Sequence, residues 1–141
     1  MVVSNRMSEV ALSTQNLISI IDDDEGVREA IRGLMRSLGF AAAVFPSASD
    51  FLAYSNFRNT SCLIADVQMT GMTGVELYNH LKQSGFAIPT ILITAYPNDS
   101  VRARVLADGV ICYLSKPLDE DALLGCIYSV LKRGYPAEAH V

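Results

Sequence analysis

Three carboxylates, a hydroxyl and an amine in this chain each stand just after, or at the end of, a short apolar run. Asp22 and Asp23 follow Leu17-Ile18-Ser19-Ile20-Ile21, and Asp66 follows Cys62-Leu63-Ile64-Ala65. Thr94 follows Thr90-Ile91-Leu92-Ile93, and Lys116 comes shortly after Val110-Ile111-Cys112-Tyr113-Leu114. If these runs are parallel strands, all five side chains emerge at one edge of one sheet, where open α/β sheets bind ligands. Oxygen ligands of this kind suit Mg²⁺, which takes one or two carboxylates plus phosphate oxygens and water. A lysine and a threonine beside them suit the oxygens of a phosphoryl group.

Taken singly, each residue has an ordinary explanation. Asp22 to Glu25 could be the acidic first turn of a helix, favoured by its dipole. Asp66 could be a loop carboxylate, Thr94 a strand-end hydroxyl and Lys116 a surface lysine. Electrostatics gives the group its weight. Two carboxylates about 5 Å apart at an effective dielectric of about 20 repel by roughly 3 kcal/mol. Three such pairs approach about 10 kcal/mol, comparable with the whole stability of a domain, about 5–15 kcal/mol. Clustering therefore demands a counter-cation, a raised pKa or wide spacing.

The chain has 141 residues, half of them hydrophobic, and a formal net charge of −4. That length predicts one domain with a substantial core. The acidic balance argues against direct nucleic-acid binding. No apolar run approaches the roughly 20 residues of a membrane span, and residues 1–16 lack the apolar stretch of a secretory signal. A cytoplasmic protein with no membrane contact is expected. The three cysteines, Cys62, Cys112 and Cys126, form no CxxC spacing. An odd count without that spacing predicts buried free thiols rather than a disulfide framework or a zinc site.

Strands are predicted over 17–21, 41–45, 61–65, 89–94 and 110–114. Between them lie helical spacings: Val27, Ile31, Leu34, Met35 and Leu38, stopped by Gly39, follow the i, i+3, i+4 rule. Ser47 with Asp50 and Thr73 with Glu76 resemble capping boxes. Asn98 and Asp119 can cap the fourth and fifth helices, the latter carrying Leu123, Leu124, Ile127, Val130 and Leu131 and ending at Gly134. Five βα units predict an α/β fold, a five-stranded parallel sheet with helices on both faces. Residues 1–16 read as a flexible N-terminal arm, 17–133 as the domain and 134–141 as a C-terminal tail. His80 reads as a surface residue, and His140 falls in the tail.

Four stretches together resemble the receiver domain of bacterial two-component response regulators. They are Ile20-Ile21-Asp22-Asp23-Asp24, then Ala65-Asp66-Val67-Gln68-Met69-Thr70-Gly71-Met72-Thr73-Gly74, then Ile93-Thr94-Ala95, and Tyr113-Leu114-Ser115-Lys116-Pro117. Order and spacing agree from about Leu17 to Arg133. Phe45-Pro46-Ser47-Ala48 is similar to the subgroup of nitrogen-fixation transcriptional regulators. The resemblance implies a flavodoxin-like strand order 2-1-3-4-5, with the site at the switch point between the first and third strands. It implies that Asp66 accepts a phosphoryl group from a sensor histidine kinase or a phosphotransfer protein. Asp23, Asp66 and the backbone carbonyl of Gln68 would then coordinate Mg²⁺, with Asp22 acting through a metal-bound water. Thr94 and Lys116 would hold phosphoryl oxygens, and Lys116-Pro117 would be a cis peptide. Phosphorylation would draw Thr94 toward the site and let Tyr113 turn inward. The output face would be the fourth helix, fifth strand and fifth helix, also a possible homodimer surface through Arg102, Arg104 and Asp108. The chain would transfer phosphate to and from itself without being an enzyme in the ordinary sense. With no DNA-binding segment after Gly134 it reads as a stand-alone receiver, and a piece of a longer regulator would read the same.

The chain departs from the family pattern at Thr70, where Pro is usual and would stiffen the loop. Gln68 and Tyr96 stand where this family tunes hydrolysis of the aspartyl phosphate, and bulky Tyr96 is expected to hinder the attacking water. Two other functions compete with this one. A haloacid-dehalogenase-like phosphohydrolase would carry Asp where Gln68 stands. A receiver-like interaction module that takes no phosphate would keep the fold without labelling Asp66.

Overall fold

A computed structural model describes the backbone of residues 16–139 and the side-chain surroundings of residues 16–131. The N-terminal arm expected over 1–16 therefore lies outside the described residues except for Asn16, as do His140 and Val141.

The strands are β1 (Leu17–Ile21), β2 (Ala41–Phe45), β3 (Cys62–Asp66), β4 (Thr90–Thr94) and β5 (Cys112–Ser115). All neighbours pair in parallel in the order β2-β1-β3-β4-β5, as the resemblance implies. The central strands are buried along their length: every residue of β3 and β4 is inaccessible or nearly so. Strands covered on both faces read as continuous Ile, Leu and Val runs rather than alternating ones. The helices are α1 (Glu25–Ser37), α2 (Ala48–Ala53), α3 (Gly74–Gln83), α4 (Asp99–Asp108) and α5 (Glu120–Ala139), with a short 3₁₀ turn at Phe57–Asn59.

Two separate cores result. On one face Ile21, Leu63, Leu92 and Tyr113 pack with Phe51, Leu77 and Val105 from α2, α3 and α4. On the other face Ile18, Ile20, Ile64, Ile91 and Ile93 pack with Ile31 and Met35 of α1 and Leu123 and Ile127 of α5. Alternate residues of one strand feed opposite cores because successive side chains point to opposite faces.

The helix starts follow their caps. Asp24, Ser47, Thr73 and Asn98 each accept a hydrogen bond from the backbone N–H three residues on. Thr73 and Glu76 complete the reciprocal box. Ser47 and Asp50 do not: the Ser47 hydroxyl donates to Asp50 Oδ2 at 3.0 Å instead. α4 ends at Gly109, whose φ of +116° is the left-handed conformation that glycine adopts without strain.

Two expectations need correction. The last helix does not stop at Gly134 but continues through it and Pro136 to Ala139, so the tail begins as helix. A single glycine costs a helix only about 1 kcal/mol and does not terminate it without a left-handed turn. The cysteines are not all free either. Cys112 on β5 and Cys126 on α5 form a disulfide, and Cys62 alone is free and buried. Parity cannot distinguish three thiols from one thiol and one bridge. The bridge arises because α5 crosses back over β5, which no spacing of 14 residues announces. Closing a loop of about 15 residues stabilises a domain by about 3 kcal/mol in the chain-entropy account.

Gly74, at the start of α3, sits against the end of β3. A Cβ there would collide with the Asp66 carbonyl oxygen and lie 3.1 Å from Leu92 Cδ2. Gly33, exposed in the middle of α1, has nothing within 4 Å of the same position. Gly74→Ala is therefore expected to lower the unfolding free energy by about 1–3 kcal/mol. Gly33→Ala should raise it by about 0.5–1 kcal/mol. Urea titration of both variants against the native chain checks the pair.

Candidate functional site

From β1 the chain crosses to β2 on one side and then to β3 on the other. The crevice this leaves at the carboxyl ends of the strands is where such sheets hold ligands. Asp22 is the first residue past β1, Asp66 the last of β3, Thr94 the last of β4, and Lys116 the first past β5. Asp66 lies in register with Ile93 and Thr94 with Ser115. These four predicted residues thus share one rim, and Asp23 follows Asp22 directly in the chain.

Lys116 ties the rim together. Its Nζ lies 2.8 Å from Asp22 Oδ2 and 3.3 Å from Asp66 Oδ2. Asp22 is fully buried and Asp66 is 4% exposed, so one amine faces two carboxylates that water scarcely reaches. Asp22 Oδ1 accepts the Asp24 N–H at 2.9 Å, and Asp66 Oδ1 accepts the Gln68 N–H at 3.2 Å. Lys116 Nζ is the sole side-chain group that reaches the buried Asp22 Oδ2 among the described contacts, so one ammonium serves both acids. Asp23 is exposed, yet one oxygen from each of Asp22, Asp23 and Asp66 fits within a 4.8 Å span.

Burial, and then the neighbouring Asp22 carboxylate, push the Asp66 carboxyl above its usual range, although Lys116 and the Gln68 N–H pull the other way. Burial works to lower the Lys116 pKa, but the Asp22 and Asp66 carboxylates together carry it above the ordinary lysine value. Three acids against one amine leave the rim short of positive charge. Three carboxylate oxygens within reach of one another, with one amine to share between two of them, are a fit for a small divalent cation bound through oxygen.

The remaining predicted residues occupy definite places. The buried Thr94 hydroxyl donates to Gln68 Oε1 at 2.7 Å and accepts the Tyr96 N–H at 2.9 Å. Gln68 therefore contributes its side chain to the site's hydrogen bonding, which its expected role as a backbone ligand did not include. Tyr96 is 74% exposed beside the rim. Lys116-Pro117 is cis. The Tyr113 ring faces inward, 7% exposed, and its hydroxyl accepts the Asn98 N–H at 3.1 Å. The ring packs in the core beneath α3 and α4. A groove of about 390 Å³ opens between α1 and α5 and reaches the rim only at Asp24 and Lys116.

Arg28 escaped the reading of the sequence. From the first turn of α1 its guanidinium donates to the Asp22 carbonyl oxygen at 2.8 Å, pinning the backbone that carries the acidic pair. The available signal was a cation one helical turn into the segment that follows three consecutive acids.

Because the folded chain holds Asp66 protonated to higher pH than the unfolded chain does, this group favours folding at acid pH. That contribution is lost as pH rises through the raised value. Asp66→Asn is therefore expected to raise Tm at pH 7, with the gain shrinking toward zero as pH falls below the ordinary carboxylate range. Melting curves across pH for both chains check this. A gain that grows on acidification would contradict it.

Comparison with known proteins agrees with the geometry. Residues 18–128 match the family model described as the response regulator receiver domain. The response regulator protein TodT of Pseudomonas putida F1 is 38% identical over 117 residues, covering 83% of this chain and 52% of its own. The transcriptional regulatory protein FixJ of Bradyrhizobium diazoefficiens is 29% identical over 126 residues, 89% of this chain and 62% of its own. Among solved structures, the response regulator StyR superposes with a TM-score of 0.80 at 34% identity, over 90% of this chain and 64% of StyR. A response regulator receiver protein from Burkholderia phymatum gives 0.70 at 38% identity, over 83% of this chain and 95% of its own. The chain spans about half the length of the TodT relatives it matches. On the family match and on a rim that gathers its acids, hydroxyl and lysine at the expected strand ends, this chain belongs to the response regulator receiver domains of two-component systems.

Proposed function

We propose that this receiver domain, taken as residues 17–133, accepts a phosphoryl group on Asp66 in a Mg²⁺-dependent reaction. The donor would be the phosphohistidine of a sensor histidine kinase or a phosphotransfer protein, met in the cytoplasm. One observation carries the reading: a single Lys116 amine sits between two buried carboxylates, 2.8 and 3.3 Å away, with a third acid beside them. A surface lysine would not be held in this way, and a purely structural site would not need the second acid.

Asp23, Asp66 and the Gln68 carbonyl would hold the cation directly, with Asp22 behind them. When bound, Mg²⁺ supplies charge neutralisation for the oxygens of the transferring group. An Asp66 carboxylate oxygen attacks phosphorus, the N–P bond breaks as the O–P bond forms, and the donor imidazole leaves with a proton. Phosphoryl transfer needs little from side chains beyond position and charge. Lys116 would meet one equatorial oxygen, and the Thr94 hydroxyl, released from Gln68 Oε1, would meet another. The Tyr96 N–H moves with Thr94, because it donates to the same hydroxyl. The loop between β4 and α4 would then carry the change to the α4-β5-α5 face, where a partner or a second copy would sense it.

Intact mass after acetyl phosphate and Mg²⁺ should show one phosphoryl group on the native chain and none on Asp66→Asn. Lys116→Ala should slow labelling by about a hundredfold, the size typical of losing a group aimed at developing charge. No labelling of the native chain would leave a phosphate-independent interaction module. Tyr96→Ala is expected to shorten the lifetime of the phosphorylated form by opening the approach of water. Decay unchanged or slower in the variant would remove that role for Tyr96.

A further inference from the structure

The receiver chemistry makes no use of the cysteines, and the three are not equivalent. Cys62 lies fully buried in the middle of the sheet, where burial pushes its thiol up to about 12. It is inert at neutral pH, because the thiolate is the reactive form. Cys112 and Cys126 are half-buried, with Cα atoms 6.3 Å apart. Cys112 opens β5 in register with Ile91 and points toward the α1–α5 face, opposite to its neighbour Tyr113. Cys126 stands at the margin of the buried stripe of α5: Leu123, Ile127 and Val130 are covered, whereas Ala122, Gly125 and Tyr128 are exposed. A Cβ on Gly125 would meet nothing within 4 Å, so the surface beside Cys126 is open to a small reagent.

We propose that Cys112 and Cys126 form a reversible thiol–disulfide exchange site, oxidised by low-molecular-weight disulfides, that fastens α5 to β5. In the reaction one cysteine thiolate attacks a sulfur of the reagent and releases one thiolate. The second cysteine thiolate then displaces the other half. The products are the protein disulfide and two small thiols, which carry the two protons. Two arguments favour a reversible bridge over a permanent one. The domain already has a complete core on each face of the sheet and is not a small scaffold that needs stapling. The inference also rests on the proposed function, which puts the chain in a compartment where thiols are kept reduced and disulfides are mostly transient or sensing.

The position gives the bridge a consequence. It joins two of the three elements of the α4-β5-α5 face, and Cys112 adjoins Tyr113, whose hydroxyl holds the first residue before α4. Oxidation would therefore restrain α5 against the strand that carries the switch residue, adding a redox input to the surface that phosphorylation is proposed to change.

The test incubates the whole chain in buffers of graded glutathione disulfide to glutathione ratio. Thiols are trapped by alkylation, peptides mapped without reduction, and amide hydrogen exchange followed. The expected result is a Cys112–Cys126 linked peptide that appears and disappears as the ratio is cycled, in the native chain and in Cys62→Ser. Amide exchange in residues 120–131 should slow by about tenfold or more on oxidation. Absence of the linked peptide at every ratio, a link that excess glutathione does not reopen, or exchange unchanged by oxidation would each overturn the proposal. Acetyl phosphate labelling of the same samples is scored separately. Its failure with the redox cycle intact would overturn the phosphoacceptor reading and leave the thiol site standing.

Discussion

Asp22 and Asp66 are buried at the ends of two adjacent strands, with a single amine between them. This arrangement works against folding unless something answers the charge. Taking carboxylates out of water is costly, and a lysine shared between two of them neutralises only part of what has been buried. The rest of the rim is built around that deficit. Arg28 fixes the backbone of the acidic pair from α1. The Asp24 and Gln68 amides each donate to one carboxylate oxygen. The remaining oxygen of each, Asp22 Oδ2 and Asp66 Oδ2, has to share the one Lys116 amine. A site built only for stability would have replaced the acids with apolar residues.

The acidic rim is coupled to a distant surface by few connections. The loop after β4 hangs on two hydroxyls from adjacent strands: Thr94 receives the Tyr96 N–H and Tyr113 receives the Asn98 N–H. Asn98 is in turn the cap of α4. Thr94 also donates to Gln68, two residues beyond Asp66. Rearrangement at Asp66 that claims the Thr94 hydroxyl therefore competes with an existing bond and bears on the start of α4. That is a physical link between site and surface, made of named hydrogen bonds. The inward Tyr113 ring packs in the core beneath α3 and α4, directly under the loop that these bonds hold.

The close approach of α3 to β3 illustrates how backbone geometry supports the same site. Gly74 lets the helix start directly over the Asp66 carbonyl, and the Thr73–Glu76 box fixes where that helix begins. The segment between them, 67–73, carries the Gln68 amide and side chain to the acids. Thr70 within that segment breaks neither the cap nor the approach.

The sequence alone determined the periodic parts of this protein and the identity of the rim. Five β-prone runs with helical spacings between them require a parallel α/β sheet, because strands covered on both faces can close a core only with helices on each side. Asp22, Asp66, Thr94 and Lys116 were legible because each ends such a run, and parallel strands deliver their ends to one edge. Only the tertiary structure decided contacts that depend on how elements cross. The Cys112–Cys126 bridge needs α5 laid back over β5, and the Arg28 contact needs a helix face turned to a neighbouring carbonyl. The inward Tyr113 and the Thr94–Gln68 bond depend on packing and on rotamers set by several elements at once. The continuation of α5 past Gly134 followed the same logic, since a glycine halts a helix only when the chain takes a left-handed turn there. Local spacing encodes where a side chain leaves its strand or helix; what it meets is fixed by the relative placement of elements far apart in the chain.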